Sequence, residues 1–361
     1  DDRQKLLGNQ LELAASFGTG SVRHDLLAGV EISSLKDRFT QEVGLLPPID
    51  LLEPVETAAP PIITIPPLTQ AGDSRSLTIA PYLVDRLRFS PKVQAFVGAR
   101  LDALDYEDPP NDTERESTRL NPLLGLVFSP TDALSFHASW ATGSAPPSTQ
   151  VVGPRDPEES RQAELGAKLT FLDGRGFAGL AVYDLRRENI AIPDSTGITR
   201  QDGDQRSRGF EIDLTLEPFR GWSVQGGYAF TDSELTRYTE TVPLQPPDFV
   251  VMDYSGNTAP FAPRHLFNLW VSRHFDLGLG LALGLRHVSD QAIAPDNWAA
   301  IDAYTTLGAT VSFTKERWGL RVHFRNLTDT EYATRGFGSA SAIPARPFEV
   351  RARLHVGFGK R

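Results

Sequence analysis

Residue types that carry out chemistry are present in this chain, but their spacing matches no catalytic or metal-binding motif. The 361 residues include no Cys, which excludes disulfide frameworks, Cys-based zinc sites and thiol nucleophiles. The 7 His residues are scattered, and none falls in an H-E-x-x-H zinc motif. No G-x-S-x-G nucleophile turn or phosphate-binding loop occurs. We therefore predict that the protein is not an enzyme and has no metal site or cofactor.

Carboxylates are the most concentrated reactive groups. One acidic segment could offer oxygen ligands to Ca²⁺, but its spacing does not follow a calcium-loop pattern, which favours a hydrated surface loop. The segment contains Asp102, Asp105, Glu107, Asp108, Asp112, Glu114 and Glu116. Across the chain, 46 Asp and Glu outnumber 36 Lys and Arg, so the net charge is −10. This balance predicts no nucleic-acid partner, which would require a basic face.

The elements that must position any site are strands, because apolar residues recur at every second position. Between Phe275 and Leu285 the odd positions are Phe or Leu, and the even positions are Asp, Gly or Ala. A strand places such a set on one face, whereas a helix would scatter it. Most such stretches run about ten residues or more, as a tilted membrane strand requires. About fifteen strands are predicted, starting near Asn9, Val22, Leu77, Lys92, Thr118, Ala133, Arg161, Gly176, Gln205, Gly221, Arg264, Gly278, Ala300, Trp318 and Arg346.

The connections between these strands alternate short and long. This alternation places every long loop at the same end of a meander, as in outer-membrane barrels. The predicted long loops lie near 37–75, 105–117, 142–160, 192–204, 233–263, 289–299 and 329–345. We therefore predict an all-β, transmembrane, antiparallel up-and-down barrel, with a soluble β-rich protein such as a sandwich as the alternative. Trp140, Trp222, Trp270, Trp298 and Trp318 are predicted to form interfacial girdles near strand ends.

Several segments resemble TonB-dependent outer-membrane receptors, in particular the ferric-siderophore branch. The stretch from Asn326 to Ala333 is similar to the family's near-terminal signature. Pro122 to Asp132 and Gly256 to Pro260 are similar to further family segments, and the matches keep their order from about residue 80 to the end. The signature positions carried by this resemblance are Asn326, Leu327, Thr328, Asp329 and Tyr332.

The resemblance implies a fold and a function. The family's barrel has 22 strands and a plugged lumen, so about fifteen strands imply an incomplete, C-terminal part of a barrel, with the plug domain absent. The implied function is active uptake of iron–siderophore complexes, energised by a TonB-type transducer through the missing N-terminal region. The implied location is the outer membrane of a Gram-negative bacterium, among its lipid and lipopolysaccharide. A receptor for haem, cobalamin or a glycan, or a passive porin-like or soluble binding protein, is the alternative.

Ligand contacts are expected in the long loops. A ferric siderophore is bulky and often anionic, so aromatic faces and guanidinium groups suit it by stacking and charge pairing. The loop residues of these types are Tyr238, Phe249, Tyr254, Trp298, Phe337, Arg155, Arg335 and Arg346.

Overall fold

The chain folds as one large antiparallel sheet with three small hairpins. The computed structural model describes residues 2–41, 70–146, 156–193, 199–245, 248–336 and 341–358. The main sheet has 15 strands, which confirms the predicted all-β class and strand number. Each strand pairs with the main-sheet strands before and after it in the chain, which is the predicted up-and-down order. Within the described ranges, no helix is long and apolar enough to cross a membrane.

The strands are numbered in chain order. Their bounds are β1 (Asp2–Thr19), β2 (Val22–Gln41), β3 (Gln70–Arg88), β4 (Val93–Asp108), β5 (Thr113–Phe128), β6 (Leu134–Ala145), β7 (Glu158–Phe171), β8 (Gly176–Pro193), β9 (Thr199–Leu216), β10 (Trp222–Arg237), β11 (Thr239–Gln245), β12 (Asp248–Asp253), β13 (His265–His274), β14 (Leu279–Val288), β15 (Gln291–Ala292), β16 (Ala300–Ile301), β17 (Tyr304–Lys315), β18 (Trp318–Arg325), β19 (Ala333–Gly336), β20 (Ala342–Pro344) and β21 (Glu349–Val356). The pairs β11–β12, β15–β16 and β19–β20 are separate from the main sheet.

Several strands run further than the sequence pattern predicts. β2 and β3, with 20 and 19 residues, extend into the predicted loop 37–75 from both sides. In the predicted loop 105–117, β4 and β5 continue until a single turn at Pro109–Asn111 separates them. Backbone pairing therefore persists beyond the point where apolar alternation stops, because ladder hydrogen bonds do not depend on an apolar face.

The other predicted loops also contain strand residues. β6 and β7 extend into the predicted loop 142–160 from either side, and β8 and β9 extend in the same way into the predicted loop 192–204. The remaining three loops hold the small hairpins: β11–β12 lies in 233–263, β15–β16 borders 289–299, and β19–β20 lies in 329–345.

The two faces of the main sheet differ in chemistry. On the outer face, Leu283 lies in register with Val271 and Ala309, and 55% of its surface is exposed. On the inner face, Arg100 donates to Glu31 at 2.8 Å and to Asp102 at 2.7 Å. No second large sheet covers the outer face among the described residues. An exposed apolar exterior and a charged interior fit a barrel in lipid and disagree with a sandwich.

Among the described residues, the turn at 109–112 lies at the same end of the sheet as the small hairpins, and seven other short turns lie at the opposite end. They span 20–21, 89–92, 129–133, 172–175, 217–221, 275–278 and 316–317. Gly278, in one of these turns, has φ 91°, and the Thr314 carbonyl occupies the space that a Cβ would need. The tight turns therefore leave the other end, here called the loop end, as the place where side chains from many loops can meet.

Candidate functional site

Two predicted tyrosines come together at the loop end. Tyr238 directly precedes β11 and Tyr254 follows β12, so the hairpin places them side by side. The Tyr254 N–H donates to the Tyr238 carbonyl at 2.8 Å, and the ring centroids are 6.5 Å apart. The pair provides adjacent aromatic faces, which can stack on a planar ligand group.

Trp298 lies on the neighbouring loop and is 82% exposed. Its backbone N–H donates to the Asp296 carboxylate at 3.0 Å. Burial raises the pKa of Tyr254, with smaller contributions from the charges of Glu240 and Asp296. We call Tyr238, Tyr254 and Trp298 the aromatic loop patch, because they lie in two connections at the loop end that contact each other.

Asn297 holds the two loops of this patch together. Its Oδ1 accepts from the Thr258 N–H at 2.8 Å, and its Nδ2 donates to the Thr258 carbonyl at 2.8 Å. Asn297 adopts φ 54°, a left-handed conformation that Asn tolerates better than most residues. This side chain thus fixes the segment after Tyr254 against the segment that carries Trp298.

Burial sets the electrostatics of the patch. It raises the pKa of Tyr238 to about 12, with smaller contributions from Glu240 and Tyr254. Burial and the nearby Asp296 also raise the pKa of Glu240. Tyr238 therefore stays a neutral hydrogen-bond donor over the physiological pH range.

Among the described residues, three cavities lie along the inner face. The upper cavity, of about 670 Å³, is lined by Phe261, Gln291 and Arg335. The middle cavity, of about 780 Å³, is lined by Trp270 and Arg346 and shares Arg286 and Thr334 with the upper one. The lower cavity, of about 840 Å³, lies near the short turns. Phe261 and Gln291 belong to the same two connections as the aromatic loop patch, so these connections contribute both to the patch and to the upper cavity.

Trp270 faces the inside of the sheet, which corrects its predicted place in an interfacial girdle. It pairs with Gly284, and its ring occupies the space that a Cβ at Gly284 would need. The neighbouring inner residues, Asn268 and Arg286, also line the middle cavity. The sequence signal for this placement was the glycine opposite Trp270, which leaves room for an indole on the inner wall.

The family-signature residues build the connection after β18. Asn326 is buried, its Oδ1 accepts from the Thr330 N–H at 3.0 Å, and its Nδ2 donates to the Thr330 carbonyl at 3.0 Å. Asp329 Oδ1 accepts from the Phe348 N–H at 2.7 Å, and Tyr332 stacks on Tyr304 at 4.1 Å.

The two remaining signature residues lie in the same turn. The Leu327 N–H donates to the Leu307 carbonyl at 2.9 Å, and the Thr328 and Thr330 hydroxyls are 2.8 Å apart. Leu327 and Tyr332 tie the connection to β17, and Asp329 ties it to the residue before β21, whereas these Thr330 contacts stabilise the turn itself.

The predicted ligand residues fall into separate groups. Arg335 and Arg346 line adjoining cavities, and Arg346 lies 3.4 Å from Glu349. Phe249 is exposed on β12 and has no recorded ring contact with the patch. Arg155 and Phe337 lie outside the described residues. No group of three or more metal-binding side chains was found among the described residues.

Known proteins similar to this chain are receptors. A family model described as TonB dependent receptor-like, beta-barrel, matches residues 1–327. The metal-pseudopaline receptor CntO of Pseudomonas aeruginosa is 26% identical over 376 residues, covering 97% of this chain and 51% of that protein. The ferrioxamine B receptor of Salmonella typhimurium is 26% identical over 350 residues, covering 90% of this chain and 46% of that protein. The chain thus spans about half the length of these curated relatives.

Solved structures show the same fold. The siderophore receptor PiuA from Acinetobacter baumannii superposes with a TM-score of 0.80 at 21% identity, covering 98% of this chain and 56% of that one. The closed form of the ferric-catecholate import receptor Fiu from Escherichia coli K12 gives 0.81 at 19% identity, covering 99% and 55%. The chain therefore belongs to the TonB-dependent receptor-like β-barrel family, whose members are outer-membrane proteins of Gram-negative bacteria.

Proposed function

We propose that this chain forms the C-terminal part of a receptor barrel that takes up iron–siderophore complexes. The observation that carries the proposal is that the two connections holding the aromatic loop patch also line a cavity with Arg335 on the inner wall. Aromatic faces capture the planar groups of a chelate, and guanidinium groups pair with its negative charge. The ligand is bound and moved without a chemical step.

Similarity to known receptors supports a siderophore complex as the ligand. Relatives of the chain include receptors for metal-pseudopaline and ferrioxamine B, and a ferrichrome outer membrane transporter. Energy would come from a TonB-type partner acting through the N-terminal region of the longer protein. We infer this partner from the family name, because the chain spans only about half of its relatives.

Contact with lipopolysaccharide belongs to the same proposal. On the outer face, Lys5 lies opposite Lys36, and Lys36 lies opposite Arg75. Leu7 follows Lys5 by two residues on β1, and Leu77 follows Arg75 by two residues on β3. Both are exposed apolar residues, and both lie closer to the short-turn end than the cations do. A row of cations just beyond an apolar belt lies at the depth of lipid head groups and suits their phosphates.

The test is ligand binding to the intact parent receptor. Tyr254→Ala combined with Trp298→Ala should raise the Kd for a ferric siderophore about tenfold, since each lost aromatic contact is worth about 0.5–1.5 kcal/mol. Phe219→Ala is the matched control, because Phe219 is an exposed aromatic residue at the short-turn end. Equal affinity of the double variant would remove the patch from the site. Binding of haem, cobalamin or a glycan, with no ferric chelate bound, would contradict the proposed ligand.

A further inference from the structure

Arginines form a ladder on the inner face of the last two strands. β18 and β21 pair Arg325 with Glu349, His323 with Arg351, and Arg321 with Arg353. Successive rungs lie about 7 Å apart along the strands, which is the rise of two residues. We call Arg321, Arg325, Arg351 and Arg353 the arginine strip.

The charges of the strip are only partly balanced. Glu349 accepts from Arg351 at 2.9 Å and lies 3.8 Å from Arg325. Arg321 and Arg353 lie directly opposite each other, and neither has a recorded ion pair with a described residue. Like charges directly opposite across two strands repel each other and destabilise the sheet. A mobile anion beside this rung would relieve that repulsion.

The strip connects two cavities. Arg325 and Glu349 line the middle cavity, of about 780 Å³. Arg321, Arg353 and His355 line the lower cavity, of about 840 Å³, near the short turns. One rung, His323 with Arg351, separates them. Both volumes lie in the range of small-molecule sites, about 300–1,000 Å³. Guanidinium groups therefore continue from the middle cavity to the short-turn end of the inner wall.

We propose that the arginine strip is the route along which an anionic chelate leaves the middle cavity toward the periplasm. This inference rests on the proposed function and adds the charge of the cargo and its path. Each guanidinium offers bidentate, charge-assisted hydrogen bonds to catecholate or carboxylate oxygens. An anion can pass from one rung to the next without crossing an uncharged stretch of wall, so the strip favours anionic over neutral cargo.

The experiment measures uptake and surface binding of iron-55 chelates by cells that carry the intact parent receptor. The probes are an anionic ferric tris-catecholate and a neutral ferric tris-hydroxamate. Uptake of neither probe would contradict the proposed function itself. Uptake of the neutral probe alone would overturn this inference and leave the receptor function standing.

The decisive variant is Arg321→Gln with Arg353→Gln. It should lower catecholate uptake about tenfold at unchanged surface affinity, since losing one charge-assisted contact during passage raises the barrier by about 1.4 kcal/mol. Arg321→Lys with Arg353→Lys should restore most of the rate. Arg161→Gln with Arg186→Gln is the matched control, because these two arginines also lie opposite each other but share the outer face of the exposed Leu165 and Val182. Normal catecholate uptake by the Arg321→Gln, Arg353→Gln variant would overturn the proposal.

A second measurement, of antibiotic sensitivity, distinguishes a ligand route along the arginine strip from a surface on which a plug domain docks. If the strip held a plug domain in place, removing its charge would loosen the plug and admit large antibiotics. We expect the Arg321→Gln, Arg353→Gln variant to keep the parent's resistance to vancomycin. Increased sensitivity together with slowed uptake would assign the strip to plug docking and overturn the route.

Discussion

The two faces of β14 should respond in opposite ways to the same substitution. Leu283 is the fifth of the ten residues in β14, is 55% exposed, and lies between Val271 and Ala309 on the outer face. An Arg on the lipid face of an outer-membrane barrel costs about 2–4 kcal/mol at the bilayer midplane. We therefore expect Leu283→Arg to lower the free energy of unfolding of the intact receptor by that amount.

The adjacent residue provides the control. Ala282 lies in register with Ser272 and Thr310 on the inner face, where water and polar groups can solvate a guanidinium. Ala282→Arg should cost less than about 1 kcal/mol, as a surface substitution does. The assay is urea unfolding of the receptor in lipid vesicles, with both variants compared at one temperature. Equal losses, or a larger loss for Ala282→Arg, would refute the assignment of the faces.

Three further predictions concern the loop end and the outer face. Burial raises the pKa of Glu240 above its unfolded value. As pH rises from the unfolded pKa through the raised value, the ionising carboxyl therefore destabilises the folded β11–β12 hairpin. Hydrogen-exchange protection of this hairpin should fall across that pH window, and Glu240→Gln should remove the fall. Asn297→Gly keeps the left-handed backbone conformation accessible but removes the side-chain oxygen that accepts from the Thr258 N–H. The Thr258 amide should therefore exchange about tenfold faster or more. Unchanged exchange at Thr258 would show that Asn297 does not hold the two loops together. Lys36→Gln with Arg75→Gln should reduce the lipopolysaccharide that co-purifies with the intact receptor, as measured by mass spectrometry, whereas Arg23→Gln, a basic residue at the short-turn end of β2, should not.

The strands were predictable because their signal is local. The alternation from Phe275 to Leu285 identifies β14 and its outer face, and the predicted starts near Val22, Gly176 and Trp318 match β2, β8 and β18. The small hairpins at the loop end were not predictable in this way. β11 and β12 are short and lack a long apolar alternation, so the pairing depends on the backbone ladder rather than on burial of one face.

The site was predictable only in part. Tyr238, Tyr254 and Trp298 could be selected as aromatic residues in long loops, where binding residues are often found; their contact with a ligand stays a prediction. Asn297 could not, because its role depends on Thr258, which is distant in sequence. Trp270 was placed at an interface because its type is common there, whereas its actual environment is set by Gly284 on the next strand.

The central claim is that the outer face contacts acyl chains and the inner face lines a water-filled interior. This chain has no Cys, so single cysteines introduced from Leu279 to Val288 can carry a nitroxide without background labelling from its own residues. Electron paramagnetic resonance of the intact receptor in lipid then measures collisions with oxygen, which concentrates in the bilayer, and with a water-soluble nickel chelate. We predict that labels at 281, 283 and 285 collide with oxygen, and that labels at 282 and 286, on the inner face, collide with the chelate. Equal access of the chelate to both sets, or protection of both from it, would contradict the claim.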